Sequence, residues 1–210
     1  MIAIIDYDAG NVKSVQKAFE KLGQQVEVTR DPQVILSADH VVLPGVGNFG
    51  DAVGNLRKYG LEDVIREVIA RKIPFLGICV GMQALFEGSE ESPDVPGLGI
   101  FRGYCRRFPD REGFKVPQIG WNSIFFLNDG KLFKEIPNGI FVYFVHSFYV
   151  EAENLNIVKA VCEYTNIFHA SVQRGNVFAC QFHPEKSGNA GLRILQNFLL
   201  VKKPEEKEEE

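Results

Sequence analysis

Residues Pro74-Phe75-Leu76-Gly77-Ile78-Cys79-Val80-Gly81-Met82-Gln83 form an apolar run that ends on G-x-C-x-G and continues into a helix-like pattern. A side chain carried on a sharp strand-to-helix turn needs glycine two positions to either side, because neighbouring backbone passes too close for a Cβ atom. The stretch therefore reads as strand, tight turn and helix, with Cys79 at the turn. A cysteine at a helix N-terminus gains thiolate character from the helix dipole. A cysteine in an apolar run also packs as a small buried hydrophobe. Both readings of Cys79 are open on these residues alone.

Working outward, the first half alternates strand-like and helix-like segments. Ile2 to Ile5 reads as a buried strand, and Val12, Val15, Ala18, Phe19 and Leu22 share one helical face. Val26 to Thr29 and His40 to Leu43 read as further strands, Leu61 to Lys72 as a helix, and Phe75 to Cys79 as the strand before the turn. Strands alternating with helices predict an α/β fold with a central, mostly parallel sheet and helices on both faces. From Leu98 onward the texture changes to short aromatic and β-branched runs, among them Phe141 to Val150, separated by Asn, Gly and Pro. These predict antiparallel strands added to the sheet in the second half. Gly191 to Val201 closes the core with a helix, so residues 1–201 read as one domain. Residues 202–210, rich in Lys and Glu, read as an acidic, solvated and disordered tail.

Composition narrows the function classes. The chain has 210 residues, 24% charged and 45% hydrophobic, with a formal net charge of −4, the profile of a globular domain. It has no Lys/Arg surplus to neutralise a phosphate backbone, so nucleic acid is not an expected partner. The most apolar stretch, Ile73 to Phe86, is broken by Pro74, Gly77, Gly81 and Gln83, so no membrane span is expected. The N-terminus meets Asp6 and Asp8 at once and does not read as a signal peptide, which points to the cytoplasm. Cys79, Cys105, Cys162 and Cys180 are scattered, without zinc-type pairing, and read as free thiols with no metal site.

Gly45 to Gly50 matches G-x-G-x-x-G after a strand and before a helical pattern. It lies after the third strand, and the acidic residue at a suitable distance, Glu67, falls inside a helix instead of at a strand end, which speaks against a dinucleotide site. It reads instead as a tight turn, or as a loop whose backbone N–H groups face a negative charge. Gln181-Phe182-His183-Pro184-Glu185-Lys186 places a histidine and a carboxylate two residues apart at the end of an apolar run. On extended chain the two would point to the same side, so Glu185 could orient the His183 imidazole while His183 deprotonates Cys79. A surface loop with an ion pair is the other reading. His40 and His169 fit core or surface roles. His146 fits either a strand end near a site or a satisfied core position.

Gly77-Ile78-Cys79-Val80-Gly81-Met82-Gln83, the Pro44-Gly45-Val46-Gly47 loop and His183-Pro184-Glu185 together resemble the triad-type (class I) glutamine amidotransferases over residues 1–201. With Asn48-Phe49-Gly50, Ile119-Gly120-Trp121-Asn122, Tyr143 to Phe148 and Lys186-Ser187 added, the pattern is similar to the glutaminase subunits of imidazole glycerol phosphate synthases. Val80 stands where the family usually has Leu, a change the backbone contact there tolerates. The resemblance implies a flavodoxin-like class I fold, no cofactor, and glutamine as substrate. It implies Cys79 as nucleophile, His183 as general base and acid, and Glu185 as its orienter. The N–H of Val80 and, after local rearrangement, that of Val46 would form an oxyanion hole. Gly47, Gln83, Glu91, Ser147 and Phe148 would hold glutamine. The implied partner is a cyclase subunit of (β/α)8-barrel fold, forming a heterodimer, with Trp121, Tyr143 and Lys186 as interface candidates. A glutaminase subunit of another synthase, a stand-alone cysteine hydrolase and a catalytically silent subunit are the alternatives; retention of all three catalytic residues speaks against the last.

Overall fold

The computed structural model describes residues 1–203; the expected acidic tail lies, from residue 204, outside the described residues. The first half runs β1 (Ile2–Ile5), α1 (Val12–Lys21), β2 (Val26–Thr29), α2 (Pro32–Ser37), β3 (His40–Leu43), α3 (Phe49–Lys58), α4 (Leu61–Ala70), β4 (Phe75–Ile78) and α5 (Val80–Gln83). The second half adds β5 (Gly88–Ser89), β6 (Gly103–Arg107), β7 (Gln118–Phe126), β8 (Phe141–His146), β9 (Phe148–Ala152), β10 (Val158–Glu163), β11 (Ile167–Arg174), β12 (Val177–Cys180) and α6 (Gly188–Leu199). The α/β class with a mostly parallel centre and antiparallel additions is the architecture the sequence predicts. Four boundaries differ. The helix from Leu61 stops at Ala70 because Lys72 takes a positive φ of 57°. The strand from Phe75 stops at Ile78 because Cys79 itself turns, and the last helix runs over Gly188–Leu199 instead of Gly191 to Val201.

The sheet order is β2-β1-β3-β4-β12-β11-β10-β7-β8, with β9 and β6 branching from β11 and β5 beyond them. The five strands β2, β1, β3, β4 and β12 are parallel. The four inner strands are mostly apolar, as strands covered on both sides require: β1, β3, β4 and β12 are buried at every position, while edge strand β2 (VEVT) is not. The chain steps one way from β1 to β2 and the other way from β2 to β3, so right-handed crossovers place α1 on one face and α2, α3 and α4 on the other. Contacts agree. Phe19 of α1 meets Phe198 of α6 at 6.5 Å, and Phe198 also packs on His40 of β3 and Phe178 of β12. On the opposite side α4 packs against α2 and α3.

The antiparallel half covers only one of its faces. Along β8, Val142, Phe144 and His146 point inward, while Phe141, Tyr143 and Val145 point out. The inward rings join Phe108, Tyr149 and Phe168 in a second aromatic cluster, which Phe144 links to Phe182 at 5.9 Å. Outward, β7 presents Ile119 and Trp121, 65% and 55% exposed, paired across from Val145 and Tyr143. All four cysteines are buried free thiols. Among the described residues no helix is long and apolar enough to cross a membrane, and no cluster of His, Cys, Asp or Glu is arranged to hold a metal ion.

Phe198 ties α6, α1 and the sheet together with no exposure. Phe198→Ala is expected to cost about 3–5 kcal/mol of stability through lost burial and an unfilled cavity, read as a lowered urea midpoint at unchanged slope.

Candidate active site

β4 delivers Cys79 onto a backbone conformation of φ 54° and ψ −112°, one that L-residues rarely adopt. The turn is held by contacts only glycine permits. A Cβ on Gly81 would lie 2.1 Å from the Leu43 carbonyl oxygen, one on Gly77 would lie 2.8 Å from the Gly81 oxygen, and one on Gly45 would lie 2.6 Å from the Gly81 nitrogen. The predicted reason for the G-x-C-x-G spacing is thus met atom by atom, and Gly45 of the preceding loop belongs to the same packing. The Cys79 N–H bonds the Cys180 carbonyl at 2.8 Å, which fixes the turn to the end of β12. Val80 opens α5, so its N–H is among the first-turn amides that lack an intrahelical acceptor.

The end of β12 continues as Gln181, Phe182 and His183. His183 Nδ1 lies 2.8 Å from Glu185 Oε1, and both side chains are fully buried. Glu185 does not reach its partner by strand alternation as the sequence reading expects. Pro184 starts a short 3-10 turn over Pro184–Lys186, and this turn curls the carboxylate back onto the imidazole. Ser187 supports the turn: its Oγ donates to the His183 carbonyl at 2.6 Å and accepts from the Tyr143 N–H at 3.0 Å. Asn11 Nδ2 also donates to Glu185 Oε1. Because Asn11 can only donate there, the carboxylate accepts from both neighbours and Nδ1 of His183 carries a proton. Nε2 is buried, with no partner in hydrogen-bond geometry, yet close enough to sulfur for Cys79 to act on the imidazole electrostatically. Burial works against the imidazolium, but the Cys79 sulfur and the Glu185 carboxylate outweigh it and raise the His183 pKa to about 9.

A cavity of about 400 Å³ opens over the sulfur, lined by Val46, Gly47, Cys79, Val80, Gln83, Glu91, Pro117, Val145, His146, Ser147, Phe148 and Lys186. The structure therefore brings together every residue named from the sequence for oxyanion and glutamine contacts. Gln83 and Glu91 are also structural. Gln83 Nε2 donates to the Phe148 carbonyl at 2.9 Å, and Glu91 Oε2 accepts from the Phe49 N–H at 2.7 Å, pinning the start of α3. His146 is both a strand end and a satisfied core residue. Burial lowers its pKa to about 4, so it is neutral; Nδ1–H donates to the Phe148 carbonyl at 2.8 Å, and the Gln118 amide must turn its nitrogen toward Nε2. Trp121 and Tyr143 stand outside the cavity, with ring centroids 6.1 Å apart, and Lys186 Nζ lies 5.9 Å from the Tyr143 ring. The Gly45–Gly50 loop caps α3 through Asn48, whose side chain accepts from Gly50 and Asp51, while Glu67 pairs with Arg71 on the surface of α4.

Three residues escaped the sequence reading. Gln181 approaches the sulfur and Asn11 holds Glu185. Tyr7 donates to the Pro44 carbonyl at 2.6 Å, at the start of the glycine loop. Only Gln181 had a usable signal, since it stands two residues before His183, although the chain bends at residues 181–182 instead of running extended.

A folded-state pKa raised above the unfolded value of about 6.5 gives stability that is complete below that value and lost as pH rises through about 9. The urea midpoint is therefore expected to fall between pH 6.5 and 9, and to fall less in Cys79→Ala, whose His183 lacks the larger of its two raising partners.

The family model for class-I glutamine amidotransferases matches residues 3–202. The imidazole glycerol phosphate synthase subunit HisH of Moorella thermoacetica is 51% identical, with 94% of this chain and 93% of that protein covered. The subunit of the same name from Acinetobacter baylyi is 45% identical, with 94% and 97% covered. Among solved structures, a glutamine amidotransferase superposes with a TM-score of 0.71 at 20% identity, covering 95% of this chain and 97% of that one. The glutaminase domain of Trypanosoma brucei CTPS with bound acivicin superposes at 0.69 and 17% identity, covering 97% and 96%. These two share the fold. With the matched model spanning nearly the whole chain and the turn, loop and histidine–carboxylate pair in place, this protein belongs to the class-I glutamine amidotransferase family.

Proposed function

We propose that this chain is the glutaminase subunit of an imidazole glycerol phosphate synthase, with residues 1–201 as one catalytic domain. It releases ammonia from glutamine and passes it to a cyclase subunit, which makes imidazole glycerol phosphate and aminoimidazole carboxamide ribonucleotide. The observation that carries the reading is a cavity that has the Cys79 turn and the outward residue Val145 in its lining, with the buried His183–Glu185 pair behind the sulfur.

The Cys79 thiolate attacks the carboxamide carbon of glutamine, and the N–H groups of Val80 and Val46 receive the developing oxyanion. His183, protonated and steadied by Glu185, gives its Nε2 proton to the departing nitrogen, so ammonia leaves and a glutamyl thioester remains. Water deprotonated by His183 then attacks the thioester, releasing glutamate and restoring the thiolate–imidazolium pair. Gln83, Glu91, Ser147 and the backbone of Gly47 and Phe148 supply acceptors and donors for the amino and carboxylate ends of glutamine. Ammonia released into neutral water would become ammonium and lose its nucleophilicity, so the cavity must discharge into a partner. Val145 lines the cavity and also lies on the outward face of β8, opposite Ile119. This continuity between the exposed apolar face and the cavity lining supports reading Trp121, Tyr143 and Lys186 as the residues that seat the cyclase barrel.

Glutamate release by the chain is expected to rise many-fold on adding the cyclase and its phosphoribulosyl formimino carboxamide nucleotide. Cys79→Ala should lower it by more than about 1,000-fold. Equal rates with and without the cyclase would favour a stand-alone hydrolase. Trp121→Ala is expected to weaken cyclase binding by about 30-fold in titration calorimetry, the loss of one central aromatic anchor.

A further inference from the structure

Gln181 is fully buried at the end of β12, and the mechanism above gives it no task. Its Nε2 lies 3.6 Å from the Cys79 sulfur, and its Oε1 lies 3.0 Å from Gln83 Nε2. The orientation of this amide follows from a fixed point. The Phe148 carbonyl can only accept, so Gln83 must present its NH2 group there, at 2.9 Å. The second N–H of that group then meets Gln181, which must answer with its oxygen. The Gln181 nitrogen, a donor and never an acceptor, is thereby turned onto the sulfur. An N–H facing sulfur is a modest contact for a thiol and a strong one for a thiolate.

We propose that Gln181 is a second donor to the Cys79 nucleophile, stabilising the thiolate alongside His183 and holding it in line with the glutamine-binding edge at Phe148. The proposal rests on the reading of Cys79 as nucleophile. Among titratable groups that sense the sulfur, His183 is the charged partner, while Tyr7 and Cys180 are pushed up by burial and stay neutral. Glu185 acts through His183, and Glu91 and Lys186 line the cavity. Gln181 is thus the uncharged contribution, a donor at every pH.

The test is alkylation of Cys79 by iodoacetamide across pH in the full-length chain, with the labelled peptide identified by mass spectrometry. Carbon–sulfur bond formation with loss of iodide reads the thiolate directly and needs no glutaminase turnover, so the proposal can fail or succeed apart from the function assigned above. Gln181→Met keeps the volume and removes the donor; its profile should move up by about one pH unit. Gln181→Glu places a carboxylate against the sulfur and should move it further. With the cyclase present, Gln181→Met should lower kcat about tenfold with KM for glutamine within about threefold. In the unmutated chain, the side-chain amide protons of Gln181 should shift in NMR with the same midpoint as alkylation, and should not titrate in this way in Cys79→Ala. Unmoved alkylation profiles, equal shifts in the Met and Glu variants, or amide protons indifferent to pH in the unmutated chain would each overturn the proposal.

Discussion

The backbone of Cys79 sits where an L-residue does not rest unaided, and the rest of the site depends on what keeps it there. A residue in such a conformation costs of order 1–3 kcal/mol and persists only when its surroundings over-determine it. Here those surroundings are the close approach of Gly45, Gly77 and Gly81 and the amide bond to Cys180. Once the turn is set, the sulfur stands clear of the sheet, α5 starts beneath it with its first amides unspent, and the end of β12 is drawn alongside.

A layer of uncharged groups surrounds the ionic pair. Asn11 and Ser187 hold the carboxylate and the turn that carries it, Gln83 and His146 both bond the Phe148 carbonyl, and Tyr7 bonds the Pro44 carbonyl. Burial would drive the imidazolium toward neutrality, yet two acceptors on opposite sides reverse that. The wiring around the pair is largely side chain to backbone, while Glu185 Oε2 and His183 Nε2 are themselves buried without a hydrogen-bond partner.

Much of this was legible in the residues. Short apolar runs and period-3.6 patterns locate the parallel half because its inner strands are mostly apolar and its helices amphipathic, and the glycine spacing around Cys79 announces the turn because sterics admit nothing else. The antiparallel half was legible as strands but not as a topology, since the branching of β9 and β6 from β11 depends on pairings between distant segments. His183 and Glu185 were legible as a pair, yet the route by which they meet was not: Pro184 converts an expected extended segment into a turn. Asn11 left no trace, because an asparagine in a loop between strand and helix looks like ordinary turn chemistry until its partner, far along the chain, is placed beside it.

The position of β12 has a consequence for the order in which the molecule can assemble. It is the last strand among the described residues, yet it lies between β4 and β11, joining the parallel half to the antiparallel half. Until residues 177–180 have left the ribosome, β4 is a bare sheet edge of four buried-type residues, with Cys79 at its tip and no amide acceptor from Cys180. A nascent chain thus carries an adhesive edge from the completion of β4 until that of β12, about half of its synthesis. The same arrangement keeps the Cys79 thiol away from His183 until β12 has paired, so the two side chains are brought together only by the closing step of the sheet.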